Sequence, residues 1–463
     1  MKAEIITIGD ELLIGQVIDT NSAWMAAQLN AIGVDVKQIT SIADARLQIL
    51  HALSEAGNRA RIVLISGGLG PTRDDITKQT LCEYFDTNLI VDESALADIT
   101  AFFARRGISM TAVLEWANKL LPRIIEIRHQ LHRQPELSYQ EFLTTELIQK
   151  VLLEAGIEII PWGGQTGVVG LLQVRKSGPV VALRGDIDAL PIQEENETDY
   201  CSRVPGVMHA CGHDAHTASL LGAALILSKL KEELPGAVKF IFQPAEEINA
   251  GAKEMVKKGV LENPNVDVIF GLHNSPNIPA GKIGLKQGPL MAAVDTTFLT
   301  IKGQGGHGAI PHKSRDPIIG AAGVLMALQT IVSRQVDPLD SAVISFGTIH
   351  GGEANNVIPE KVEMTGTVRT FNPALREEMP AMMRTLITNA AAAMNTEADF
   401  TYRKDLPAVF NPADLALWAQ ESLTKIVGSS GLIIPTPSMG GEDFSYFAEL
   451  VPASFFSLGG ADA

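Results

Sequence analysis

The chain has 463 residues, 46% hydrophobic and 19% charged, the make-up of an ordinary folded protein long enough to divide into about three units. Its formal charge of −16 comes with no Lys/Arg run, so a nucleic-acid partner is not expected. No run of about 18 apolar residues is present for a membrane span, and Asp10 and Glu11 break the apolar start too early for a signal peptide. Three scattered cysteines, Cys82, Cys201 and Cys211, fit a reducing cytoplasm rather than a disulfide framework.

Residues 4–9 read as a buried strand, followed by a helix from about Thr20 to Ala31. A second strand, Arg61–Ile65, runs into a glycine-rich turn with Gly67, Gly68 and Gly70, then Asp74 and Asp75. Strand, glycine turn and helix are the layout of a parallel α/β sheet that receives ligands at its carboxyl edge. The glycines let backbone N–H groups approach an anion, and the aspartates could hold a cation that bridges a phosphate. A tight turn capped by Asp is the plainer alternative. Ile8-Gly9-Asp10-Glu11-Leu12-Leu13-Ile14-Gly15, Asp19-Thr20-Asn21 and Ser66 to Thr77 resemble the molybdopterin-binding-like domain at the front of competence/damage-inducible protein A. The resemblance covers residues 1–111 and implies a three-layer fold with a pterin or nucleotide pocket at Gly9, Asp10, Glu11, Gly67, Gly68, Gly70, Asp74 and Asp75. That family's domain runs several tens of residues further, so a partial one is expected here.

From Leu114 the pattern changes. Apolar residues at helical spacing predict a helix over Trp116–Arg133, ended by Pro135, and a second over Ser138–Ala155. No Pro/Gly/Ser linker separates the halves, as in a gene fusion. Strands are expected at Pro179–Arg184, Ala237–Phe242 and Val266–Phe270, and a helix at about Thr217–Leu234. Each strand leads to residues capable of chemistry: Gly185 to Pro191, Gln243 to Glu247, and Gly271 to Asn274. A fourth stretch, Met208 to His216, packs one thiol, three imidazoles and a carboxylate into nine residues. Cys211 and His213 can converge where Gly212 turns the chain, giving half a first shell for zinc or a similar metal. Taken alone, that pair weighs evenly against a buried Cys beside surface histidines. The other loops tip the balance. Cys211, His213, Glu247 and His273 form a candidate ligand set, with Glu246 free to act as a base and Asp188 able to orient a ligand imidazole.

Arg184 to Pro191, Met208 to His216, Gln243 to Glu247, Gly271-Leu272-His273, Gly305 to Ala309, Asn356 to Pro359, Gly366 to Arg369 and Gly440 to Phe444 together resemble the hippurate hydrolase and N-acyl-amino-acid amidohydrolase branch of the aminoacylase/carboxypeptidase metallohydrolases. The resemblance implies an α/β zinc-hydrolase-type catalytic domain over residues 114–291 and 408–463, with an inserted ferredoxin-like α+β lid over 292–407 that forms a homodimer. It implies two divalent metal ions, zinc or manganese, held by Cys211, His213, Glu247 and His273, with Glu246 as general base and Asp188 in support. Within the lid, His307 would reach the partner's active site and polarise the substrate carbonyl, Asn356 would hydrogen-bond the substrate and Arg369 would pair with its carboxylate. The lid elements read as βαββαβ, which is ferredoxin-like. The family also has a His ligand near its C-terminus. No His follows His350, so the second metal site is expected to be incomplete and the last strand and helix absent. Hydrolysis of an N-acyl or N-aroyl amino acid is the leading reading. A catalytically impaired fusion that only binds, and nucleotide pyrophosphate cleavage by residues 1–111, are the alternatives.

Overall fold

A computed structural model describes residues 2–9, 19–43, 45–66, 77–87, 110–173 and 178–461. The chain divides into two units, Met1–Arg105 and Arg106–Ala463.

In the first unit the strands are β1 (Lys2–Ile8), β2 (Asp35–Ile42) and β3 (Ile62–Ser66), and the helices α1 (Thr20–Ala31), α2 (Arg46–Arg59) and α3 (Thr77–Tyr84). The sheet order is β2-β1-β3, all parallel. The central strand β1 is buried along almost its whole length, Glu4 and Thr7 included, so its apolar residues do not alternate with exposed ones. Ile6 and Ile8 pack with Ile49, Leu53 and Ala56 of α2. Gly9 is buried at the end of β1, its N–H bonded to Ile42 O at 3.1 Å. Asp10, Glu11, Gly67, Gly68, Gly70, Asp74 and Asp75 lie outside the described residues.

The second unit begins with α4 (Met110–Arg133) and α5 (Phe142–Glu154), then β4 (Glu158–Ile160), β5 (Val168–Gln173), β6 (Val180–Asp186), α6 (His213–Lys229), β7 (Ala237–Gln243), α7 (Gly251–Lys257), β8 (Val268–Pro279), β9 (Ile283–Gly284) and β10 (Gly288–Met291). An insertion follows: β11 (Ala293–Lys302), β12 (Gly306–His307), α8 (Pro317–Arg334), β13 (Ala342–His350), β14 (Val357–Ile358), β15 (Lys361–Thr370), α9 (Pro373–Ala393) and β16 (Glu397–Leu406). The chain returns through β17 (Val409–Asn411), α10 (Ala413–Val427), β18 (Leu432–Ile433), α11 (Ser445–Ala448) and β19 (Ala453–Ala461).

The main sheet runs β18-β9-β19-β8-β6-β7-β5-β4, with β6, β7, β8 and β19 parallel and β5 antiparallel to β7. Alternation along β7 sends Phe240 and Phe242 to the face covered by α4, α5 and α6, and Ile241 to the opposite core with Ile269, Phe444 and Phe455. The insertion is a sheet of order β13-β15-β11-β16, antiparallel throughout, with α8 and α9 packed against it, the order of a ferredoxin-like domain. Asn372 caps α9 by accepting from Ala374 N at 2.9 Å, and Pro373 opens the helix.

Helix α4 starts earlier than expected, at Met110 rather than Trp116, and α6 ends earlier, at Lys229 rather than Leu234; three further boundaries move for a local reason. Helix α5 starts at Phe142 rather than Ser138, because Tyr139 sits in the left-handed region at φ +62°. Helix α6 starts at His213 rather than Thr217, because Gly212 at φ +85° turns the chain immediately before it. Strand β8 continues past Phe270 to Pro279, because β19 pairs with it as far as Pro279.

Phe240 is fully buried at the centre of the main sheet. Phe240→Ala is therefore expected to lower unfolding free energy by about 3–5 kcal/mol, measured by urea denaturation.

Candidate metal centre

Four chain segments meet beyond the carboxyl ends of β6 and β7. Strand β6 ends at Asp186, with Asp188 two residues on. Gly212 and the first turn of α6 present Cys211, His213 and His216. Strand β7 ends at Gln243 and turns through Pro244-Ala245 into Glu246 and Glu247, while β8 outruns its neighbour β6 and carries His273 past the edge. Their donor atoms fall into groups whose members lie within 4.8 Å of one another: Cys211, His213 and His273; Asp186, His213 and His216; His213, Glu246 and Glu247; and Glu246, Glu442 and Asp443. His213 belongs to three of these and is fully buried.

The hydrogen bonds decide which atoms remain free. His213 Nδ1 lies 3.3 Å from Asp188 Oδ1, which leaves Nε2 without a hydrogen-bond partner, 3.7 Å from Glu247 Oε1 and 4.0 Å from Glu246 Oε2. Glu247 Oε1 is likewise buried and unpartnered. His273 donates Nδ1–H to Asn274 O at 2.6 Å, which fixes its tautomer and turns the bare Nε2 toward Cys211 Sγ at 3.5 Å. Asp188 Oδ2 also accepts from Ser138 Oγ (2.7 Å) and Glu247 N (3.0 Å). His216 places Nδ1 2.5 Å from Asp186 Oδ1 and Nε2 against Asn274, 2.6 Å from its Oδ1 and 2.8 Å from its N.

Negative charge exceeds positive in this buried volume. Arg184, wholly enclosed, donates to Gln243 Oε1 (2.7 Å), Asp186 Oδ2 (2.8 Å), Glu442 Oε1 (2.9 Å) and Asp443 Oδ1 (3.0 Å). One guanidinium serves several carboxylates. Burial, reinforced by Glu442 and Asp443, pushes the Glu246 carboxyl well above its ordinary range, and burial pushes Asp443 up to about 7. Burial opposes charge on His213, but Asp186 and Asp188 outweigh it and hold the ring well above its usual value. Burial, joined by the charges of Glu247 and Glu246, raises the Cys211 thiol. Unshared lone pairs on one sulfur, two imidazoles and a carboxylate, inside a volume short of positive charge, fit a divalent cation of borderline softness.

The structure thus gathers Cys211, His213, Glu246, Glu247, His273 and Asp188. Arg369 lies on β15 at the edge of this region, donating to Thr367 Oγ1 (3.0 Å) and Met439 O (3.4 Å). His307 and Asn356 are both exposed on the insertion at the β12–β14 ladder, where His307 pairs with Val357 and Gly308 N bonds Asn356 O at 2.8 Å. Sequence reasoning gave no role to Asp186, His216, Glu442 or Asp443. The spacing of His213 and His216, three apart on one helical face, becomes readable once α6 is started at His213.

Residues 182–463 match the family model for peptidase family M20/M25/M40, and residues 4–186 match the one described as "Probable molybdopterin binding domain". A mixed α/β metallohydrolase-type fold with an added front domain is thereby defined. The chain belongs to the M20/M25/M40 peptidase family. It is 45% identical over 338 residues to an N-acetylcysteine deacetylase of Bacillus subtilis, covering 73% of this chain and 88% of that one. An IAA-amino acid hydrolase of Arabidopsis thaliana is 40% identical over 358 residues, 76% of this chain and 80% of the relative. A crystal structure from Bacillus subtilis, described as a dinuclear metal binding peptidase of the M20 family, superposes with a TM-score of 0.66 at 41% identity, covering 74% and 89% of the two chains.

Behind the centre, the first turn of α6 is tied to α4. His132 Nδ1 lies 3.0 Å from Asp214 Oδ2, and its Nε2 lies 3.1 Å from Glu194 Oε1. The bond to Asp214 is the main cause of the raised His132 pKa, whereas Asp214, despite its burial, falls to about 2 through His132 and Arg128. A raised histidine pKa stabilises the fold fully below the unfolded value near 6.5 and ceases to do so as pH rises through the folded value. His132→Phe is therefore expected to cost more stability at pH 6 than at pH 9, measured by urea denaturation at both.

Proposed function

We propose that the protein is a metal-dependent amidohydrolase that cleaves the amide of N-acyl or N-aroyl amino acids, hippurate-like substrates among them. The observation that carries this reading is Glu246. It is a buried carboxyl beside the donor set of Cys211, His213, Glu247 and His273, with Glu246 Oε2 4.0 Å from the bare Nε2 of His213. In this reading those four residues would hold divalent zinc or manganese, the second of two metal sites lacking a ligand, and the metal when bound would polarise the amide carbonyl and make water acidic enough to lose a proton near neutral pH.

The chain's own residues do the rest. Glu246 takes the proton from water at one carboxylate oxygen and returns it to the departing amine nitrogen. A carboxyl whose proton affinity is raised by burial and by Glu442 suits both halves of that transfer. Asp188 fixes the His213 ring through Nδ1. Arg369 binds the substrate carboxylate and Asn356 a substrate polar group. His307 meets the substrate carbonyl across a homodimer made through the lid, residues 292–407, while residues 114–291 and 408–463 form the catalytic domain and 1–111 the front domain. Relatives named for deacetylation of N-acetylcysteine and hydrolysis of IAA-amino acids support amide cleavage, and exposed Ile319, Met326 and Val332 on α8 support pairing through the lid. A cytoplasmic setting fits the free cysteines.

With manganese or zinc supplied, Glu246→Gln should lower kcat on hippurate or N-acetyl amino acids by about 10²–10⁴ while bound metal, measured by elemental analysis, stays within about twofold of the parent. Unchanged kcat in that variant, or no hydrolysis of any N-acyl amino acid by the metal-loaded parent, sinks the reading. Met326→Glu should shift the sedimenting species from two copies to one.

A further inference from the structure

Residues 135–141, between α4 and α5, carry a group that the chemistry above does not use. Glu141 occupies the N-cap position of α5 yet makes no capping hydrogen bond to its own helix. That task falls to Glu136, whose carboxylate accepts Leu143 N (3.0 Å) and Thr144 N (2.8 Å). Glu141 is completely buried, and its Oε1 instead accepts the backbone N–H of Ala245 at 2.9 Å, across 104 positions of sequence.

Ala245 is an unusual recipient. It immediately precedes Glu246 and Glu247, is itself fully buried, and adopts φ +53°, the left-handed region that a residue with a Cβ rarely visits. The turn then folds tightly back, with Ala250 N and Gly251 N both bonded to Ala245 O at 3.2 and 3.1 Å. A Cβ at Gly251 would lie 1.6 Å from Pro244 O, so the turn has no slack there. Two buried carboxylates therefore grip it from below, Glu141 through Ala245 N and Asp188 through Glu247 N. Both grips come back to the same short segment, since Ser138 Oγ donates to Asp188 Oδ2.

We infer that Glu141 is a positioning residue: by holding the Ala245 N–H it keeps the turn in its left-handed conformation and so aims Glu246 at the bound water and Glu247 at the metal. The inference rests on the proposed roles of those two glutamates. Gln at this position keeps an acceptor oxygen within reach of the Ala245 N–H.

The test titrates metal-free protein with Mn²⁺ or Zn²⁺ alone by calorimetry and measures kcat and KM separately. Glu141→Gln, which keeps the acceptor oxygen, should stay within about threefold of the parent on every readout. Glu141→Ala should weaken metal affinity by about 10–100-fold and lower kcat by at least about tenfold with KM little changed. Ala245→Gly placed in the Glu141→Ala background should recover much of both losses, because glycine takes the left-handed conformation without being held there. If Glu141→Ala does not fold, judged by circular dichroism, Glu141→Asp replaces it, one methylene too short to reach. Parental affinity and kcat in the shortened variant overturn the inference, as do equal losses in Glu141→Gln or no recovery with Ala245→Gly. A parent that binds no metal and hydrolyses nothing brings down the underlying reading, and this inference with it.

Discussion

The contact between His213 Nδ1 and Asp188 settles what the rest of the centre can be. A fully buried imidazole with both nitrogens satisfied by the protein would be a structural residue. With one nitrogen turned to Asp188, the other is left bare between Glu247, Glu246 and Asp186. The geometry begins one residue earlier. Gly212 at φ +85° starts α6 at His213, and asparagine atoms of Asn274 stand 2.7 Å from where a Cβ at Gly212 would sit. Any larger residue there would push the helix start, and the ring with it, out of reach of Asp188.

Burying so many carboxylates together is costly unless something compensates. Arg184 compensates for three of them, at its own cost in desolvation, and it takes its position from β6, one of the four parallel strands. Its partners Glu442 and Asp443 come from a distant segment, and Asp443 also accepts Gln243 Nε2 (2.7 Å) and Ala252 N (3.0 Å). Removing the arginine would strand buried charge, which is worth far more than the net value of any one of these ion pairs. What Arg184 does not reach, the volume around His213 and Glu247, is where a cation is needed. The polar network therefore supports the centre and also marks where positive charge is missing.

Much of this was legible in the sequence, and the omissions share a cause. The parallel strands announced themselves as short apolar runs, and Cys211, His213, Glu246, Glu247 and His273 each sat just after one of them or at a glycine turn. Hydrophobic periodicity could not place the start of α6, since His213, Asp214 and His216 are polar although buried, so His216 was left without a role. It also could not foresee that Tyr139 and Ala245 take left-handed backbone, because nothing in their side chains asks for it. Asp186 and Glu442 were invisible for a different reason. Their meaning depends on Arg184: Glu442 meets it across 258 positions, which leaves no local signature, and Asp186, though only two residues away, takes its role from the same buried cluster. His307 and Asn356 were drawn from a family pattern rather than from local chemistry, and in this single chain both are exposed at the β12–β14 ladder.

The insertion is tied to the centre by few but pointed contacts. The chain crosses between them at Ala292–Ala293 and again at Leu406–Val409. At the first crossing, Ala292 N bonds both Ser438 O (3.0 Å) and Gly440 O (3.1 Å). Near the second, Tyr446 Oη donates to Asp405 O at 2.7 Å, and Arg369 reaches from β15 to Met439 O. Every one of these acceptors or donors lies on or beside residues 438–446, the stretch that supplies Glu442 and Asp443 to Arg184. A displacement of the insertion would pull on that stretch before it reached any candidate ligand. A shift of Glu442 would change the field at Glu246 directly, since Glu442 is the charge that most raises that carboxyl. The lid is thus linked to the carboxyl proposed as the base through hydrogen bonds and buried charge.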